Sequence, residues 1–314
     1  KIMPLGANKA GLFGAAGASA GFDTGVWFGG YSGSGVNTIQ YITISTTGNA
    51  TDFGDLQRAK DSCAAVSNGN TDRGVVGGGT TGNDVALDEI GYVTISSPGD
   101  STDFGNLTTG RNAIAAASNG SSDRGVWGGG AINPVTNILD YVTISSTGNA
   151  TDFGDLTSGR HRLGALSSAT GDRGVWAGGT STNIMDYITI SSTGNATDFG
   201  DLSTTTNDCG GLSNGTDNRG VWAGIGGATT VMEYITISSA GDVTDFGDLT
   251  VARDHVGGLS NGTDNRGVFG SGKGSGSTDW KDEMDYITIS STGNATDFGD
   301  LIAAVRSATG CSNS

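Results

Sequence analysis

The chain has 314 residues, of which 57 are glycine and only three proline, and 15% are charged. Low proline and modest charge separate it from disordered glycine-rich chains, and recurrent Ile, Val, Phe and Trp positions can form a core. The formal charge of −16 would repel a phosphate backbone, and no basic stripe is present, so nucleic acid is excluded as a partner. Acidity of this size favours solubility and is compatible with weak divalent-cation binding.

Gly11 to Phe22 is rich in small residues but poor in leucine. It reads as a degenerate repeat strand rather than a secretory signal. No apolar run is long enough to span a membrane, so no membrane insertion is expected. The first residue is a lysine, from which we expect a chain processed or cut from a longer polypeptide.

From Tyr41 onward one stretch dominates. YITISSTGNATDFGDL stands unaltered at Tyr187 to Leu202 and Tyr286 to Leu301, with near-copies starting at Tyr41, Tyr92, Tyr141 and Tyr234. Its phenylalanines, from Phe53 to Phe298, recur at intervals of 46 to 52 residues. A period of this size marks an array of supersecondary units.

Each unit holds four extended segments. The first is small and apolar, as in NAIAAAS from Asn112, and a turn such as NGTDN from Asn261 supplies positive φ angles. The second is RGVWGGG from Arg124 and its counterparts. The third, YITIS, alternates with the two-residue period of a strand. The fourth, TDFGDL, follows the STGNA turn. No window has a helical period.

The expected fold is therefore all-β: a six-bladed propeller of four-stranded antiparallel blades, with a parallel β-helix as the competitor. The blades are expected at about 11–56, 57–107, 108–156, 157–202, 203–249 and 250–301 of a single domain, 1–314. Residues 303–313 are expected to pair with the first blade and close the ring, although residues 11–19 could fill the same place. Small pairs such as Ala64-Ala65 and Gly257-Gly258 fit inner strands converging on an axis, and the motif phenylalanines fit the wide space between blades.

The order of these residues resembles the kelch repeat. Val126, Trp127, Gly129 and Gly130 match its apolar strand and diglycine, and Tyr141 its tyrosine. Phe153 with Leu156 stands where kelch has tryptophan and a downstream apolar residue, and Arg160 matches the arginine that opens the next unit. The phenylalanine and the fixed STGNATDFGDL wording depart from ordinary kelch repeats. That wording, with RGVWGGG, is similar to the repetitive propellers of marine tailed phages, including phages of cyanobacteria. The resemblance implies a fibre or appendage protein at the virion surface or outside the cell.

The copies also separate constant from variable turns. STGNA and the turn before RGVWGGG barely change, whereas the second-to-third and fourth-to-first connections differ in every unit. In an antiparallel blade these two variable connections emerge on one face, the expected place for recognition on a rigid scaffold. The candidate contacts are Tyr31, Asp84, Asn133, His161, Arg162, His255, Trp280 and Lys281, with Trp280 expected to be exposed. The alternative is drift of duplicated loops.

His161 and His255 alone cannot make a metal site and are expected to face solvent. Pairs such as Asp52/Asp55 and Asp297/Asp300 could hold calcium but lack the dense ligand loop, and turn capping suits them better. Asn49, Asn149, Asn195 and Asn294 lie in N-A-T sequences, meaningful only in a eukaryotic secretory setting. Cys63, Cys209 and Cys311 cannot all pair within one chain, and Cys63 and Cys209 read as small core residues.

No nucleophile elbow, zinc-hydrolase motif or phosphate loop occurs, and no copper ligand set of the galactose-oxidase kind can be assembled. The expected function is non-enzymatic recognition of a host-surface glycan or protein, without a cofactor. The alternatives are a structural spacer contacting other virion proteins, and a bacterial lectin-like or glycan-processing propeller.

Overall fold

The computed structural model describes residues 23–69, 72–81, 85–119, 123–132, 134–168, 172–213, 218–261 and 265–313. All regular structure among them is strand, arranged as six four-stranded antiparallel sheets. In one blade the inner strand is Ala64–Ser67, followed outward by Arg73–Gly77, Glu89–Thr94 and Thr102–Asn106. The chain takes each blade from the axis to the rim and then crosses to the axis of the next.

The ring closes with the end of the chain. Thr309–Ser312 pairs with Thr24–Phe28 in the register Gly25 to Ser312 through Phe28 to Thr309, so the last strand is the inner strand of the first blade. This removes an unpaired edge beside the axis. The closing strand is shorter than 303–313, because residues through Val305 extend the outer strand Thr296–Val305 of the sixth blade. The competing segment, 11–19, lies outside the described residues.

The second strand of each blade has neighbours on both edges and both faces. Its apolar run is correspondingly continuous: Val26, Trp27, Val126, Trp127, Val221 and Trp222 are fully buried. The third strand alternates, with Ile42 buried and Tyr41 half-buried. The outer strand buries little beyond Phe53 and Leu56. Phe53 packs with Phe28 and Ile39 of its own blade and with Val76 and Val93 of the next, so the motif phenylalanine does wedge two blades apart. Each burial contributes roughly 1.5–3 kcal/mol gross. Tyr41 meets Phe53 edge-on at 5.9 Å, and Arg124 lies 4.6 Å above Tyr141, contacts that recur around the ring.

Two circumferential systems explain why the motif hardly varies, and a third ties the inner strands together. The first is a backbone approach at the rim. A Cβ on Gly54 would lie 2.5 Å from the Gly99 carbonyl carbon, and one on Gly105 would lie 2.3 Å from the Gly148 oxygen. The glycine of TDFG thus meets the glycine of the next blade's STG turn, and the series ends with Gly299 against Gly48. The second is a clamp beside it. Asn149 Oδ1 accepts the Asn106 amide at 3.1 Å and Asn49 accepts that of Asp300 at 3.1 Å, while Asp100 and Asp242 do the same for Asp55 and Asp201.

The third surrounds the axis, where Ser118 Oγ donates to the Ser67 carbonyl at 2.6 Å and Ser312 Oγ to the Ser260 carbonyl at 2.6 Å. Similar bonds join Ser67 to Ser312, Ser213 to Ser167 and Ser260 to Ser213. Each hydroxyl satisfies a carbonyl of the preceding blade and ties inner strands that have no ladder bonds between them.

Outer-strand aspartates such as Asp52 and Asp55 are exposed on Thr51–Lys60. They do not cap turns, contrary to expectation. Caps are supplied instead by residues in the turn between the first and second strands, such as Asp72 and Asp123, which accept the Ser96 and Ser145 amides. Charged side chains on six open rims oppose edge-to-edge pairing with another chain.

Candidate functional site at the axial mouth

The two variable connections do share one face. Tyr31 and Arg306 exchange backbone hydrogen bonds at 2.9 and 3.1 Å, as do Asp61 with Thr80 and Asp254 with Lys273. The fixed turns meet on the opposite face, where Ser45 N–H donates to Asp23 at 3.0 Å and Ser238 N–H to Asn218 at 3.0 Å.

On the variable face the chain turns into each inner strand through one residue with positive φ. These residues are Ser62, Ala113, Arg162, Asp208, His255 and Ser307, with φ between 52° and 63°. The left-handed conformation costs a non-glycine residue roughly 1–2 kcal/mol. It is held by a ring of backbone bonds: Arg162 N–H to the Ala113 carbonyl at 2.7 Å, Asp208 to Arg162 at 2.8 Å, His255 to Asp208 at 2.8 Å, Ser307 to His255 at 3.0 Å and Ala113 to Ser62 at 2.8 Å. Among the described residues no such bond joins Ser62 to Ser307. The backbone is therefore a constant collar, and only the side chains it displays differ. Three are small and three ionisable.

Below the collar is a space of about 120 Å³ lined by inner-strand residues, including Ala65, Ala116, Gly211 and Gly258. The three ionisable residues form a connected array at its mouth. His255 Nε2 lies 3.2 Å from Asp208 Oδ2 and 2.9 Å from an Arg306 guanidinium nitrogen, while Nδ1 lies 2.8 Å from Asp254. Arg162, half exposed, approaches Asp208 at 3.6 Å. Arg306 lies 4.6 Å above the Tyr31 ring, and Tyr31 meets Trp280 edge-on at 5.9 Å. Burial pushes the Asp208 carboxyl above its ordinary range, with Asp254 adding to the rise, while His255 and Arg162 pull it back. His161, outside the array, is lowered by burial and by neighbouring Arg162.

Of the eight sequence candidates, Tyr31, Arg162, His255 and Trp280 thus belong to one array. Two expectations are corrected. His255 is 8% exposed rather than solvent-facing, because the collar draws it between Asp208 and Asp254. Trp280 is half-buried, with its indole Nε1 enclosed and unpartnered. His161 bonds Thr180, and Lys281 bonds Asp279 at 2.9 Å, which raises the lysine pKa. Asp84 and Asn133 lie outside the described residues. Sequence reading missed Asp208 and Arg306. The signal was the column shared with Arg162 and His255, in which Asp208 occupies the matching place.

No group of three or more His, Cys, Asp or Glu side chains suited to a metal ion occurs among the described residues. Fold, repeat order and collar define the class: a six-bladed β-propeller, consistent with a kelch-like repeat, whose variable connections surround an open axial mouth. No protein-family model and no curated protein matches the chain.

Proposed function

We propose that this propeller is a non-enzymatic, tail-fibre-like domain of a virion appendage that recognises a host-surface ligand, a glycan in the first instance, through its variable face. The observation that carries the reading is an asymmetry of explanation. On the fixed face the repeated turn residues are spoken for by interblade glycine contacts, Asn and Asp clamps and Ser bonds. On the variable face the backbone is equally constrained, yet the side chains differ from blade to blade. Moreover, of the exposed large apolar residues among those described, Val85, Ile132 and Val135 belong to variable connections, and Ile302 lies near the end of the outer strand Thr296–Val305. A duplicated scaffold carrying different side chains on one face suits recognition.

The test is retention of the purified propeller on a panel of bacterial surface polysaccharides. Binding to at least one, reduced by Tyr31→Ala or Arg162→Gln, supports the reading, and absence of binding across the panel defeats it. A second reading, a spacer domain docked on another virion protein, is favoured by Val85 and Ile132, which protrude from neighbouring blades.

A further inference from the structure

We infer that the axial mouth is a binding site for a carboxylate-bearing sugar, of the uronic-acid kind, held at Arg162. The inference rests on the recognition reading above and adds the site and the ligand chemistry.

The first support is where free cations lie in a strongly acidic chain. Arg73, Arg124, Arg173, Arg219 and Arg266 cover motif tyrosines, and Arg111, Arg160 and Arg253 are buried against Asp140, Asp186 and Asp285. Of the remaining described cations, Arg58 pairs with Glu89 and Lys60 is buried, and the others lie on the variable face: Arg162, Lys273, Lys281 and Arg306. Lys281 has a carboxylate partner in Asp279. Arg306 has none among the described residues, being occupied by Tyr31 and one nitrogen of His255. Arg162 reaches Asp208 only at 3.6 Å, beyond a hydrogen bond, and its side chain is 48% exposed. Arg162 lines the cavity, with Arg306 behind His255, and a guanidinium with unused planar donors at a cavity rim is suited to a carboxylate, which accepts paired N–H bonds.

The second support is the shape of the mouth. A space of about 120 Å³ lined by alanine and glycine admits a carboxylate and one edge of a sugar ring, not an oligosaccharide. The recognised unit is therefore terminal or a side branch. The small half of the collar, Ser62, Ala113 and Ser307, leaves room for entry, and Ser62 N–H, outside the collar bonds, offers a donor there.

The third support is how the site manages charge. His255 is faced by Asp208, Asp254 and Arg306, and Asp208 by His255 and Arg162. A carboxylate entering beside Asp208, whose carboxyl burial already pushes above its ordinary range, favours protonation of Asp208. Occupancy is then linked to proton uptake, and affinity rises as pH falls.

The test uses calorimetric titration of the whole chain with a galacturonate trimer, its methyl-esterified form and a glutamate trimer, at neutral and mildly acidic pH. The expected result is binding of the acidic sugar with loss of at least about tenfold in affinity on esterification or in Arg162→Gln, tighter binding in Asp208→Asn, and tightening at lower pH. Arg162 is at the surface, so a folded variant is expected, and circular dichroism checks it. Equal binding of acid and ester, no binding of the acid, or preference for the glutamate peptide overturns the inference. Retention on a surface polysaccharide by wild type and Arg162→Gln alike overturns the axial site but leaves the recognition reading standing.

Discussion

Lys60 and Gly91 line one cavity of about 10 Å³, at the position where three other blades place an arginine against an aspartate. The two members of this pair change together within the chain. Arg111, Arg160 and Arg253 face Asp140, Asp186 and Asp285. Thr206 stands in the arginine column where Glu233 stands in the other, and Glu233 bonds Ser203 instead. Val305 coincides with Gln40, which accepts the Ile302 amide at 2.8 Å. Only at Lys60 is a buried cation left without the carboxylate.

Burial therefore lowers the Lys60 pKa from 10.5, and the fold bears the cost of the charge. Because the folded pKa is below the unfolded one, the penalty is full below the folded value and is relieved as pH rises toward 10.5. Gly91→Asp would restore the pair, and its Cβ would meet nothing nearer than 3.5 Å. We expect a gain of about 1–3 kcal/mol at neutral pH in denaturant melts, shrinking in alkali. A loss at neutral pH would count against this account.

The rim contact between glycines predicts a contrast within one motif. Gly54→Ala puts a Cβ 2.5 Å from the Gly99 backbone, at φ +150°, and should cost about 2–4 kcal/mol. Gly48→Ala meets nothing within 4 Å and should change stability by less than about 0.5 kcal/mol. Thermal melts of the two variants side by side provide the measurement.

Asp208→Asn should raise the melting temperature at neutral pH. Its folded pKa is raised by burial, so the carboxyl favours the fold only when protonated, and that contribution is lost as pH rises through the folded pKa. The advantage of the asparagine variant should disappear below about pH 3.8, where both states are protonated.

Removal of residues 309–314 should open the first blade. Trp27 and Val26 would lose the strand that covers them, and Thr24–Phe28 would present an unpaired edge beside the axis. Size-exclusion chromatography should show association, and melting should lose cooperativity.

The thiols of Cys63, Cys209 and Cys311 are pushed up to about 11, about 12 and about 12 by burial. They should resist a thiol-specific colorimetric reagent in the native protein at pH 8 and react fully in denaturant, since the thiolate is the nucleophile.

Strand type, blade number and the division into fixed and variable faces were legible because the repeats print the same local physics six times. Alternation in YITIS gives a strand, and disagreement between copies locates the loops. The roles of individual positions were less legible. Trp280 reads as exposed in isolation, yet Tyr31 from another blade covers its edge. His255 reads as a loop residue, yet the collar places it between Asp208 and Asp254.

The sequence by itself determined an all-β array of six near-identical units, because local alternation and turn chemistry do not depend on distant partners. Tertiary structure alone decided which side chains meet at the axis. Residues about 50 positions apart, such as Arg162, Asp208, His255 and Arg306, become neighbours only when the ring closes. The same closure gives the repeated sixteen residues their constancy, since Gly54, Gly99 and Asn149 are fixed by the adjoining blade rather than by their own.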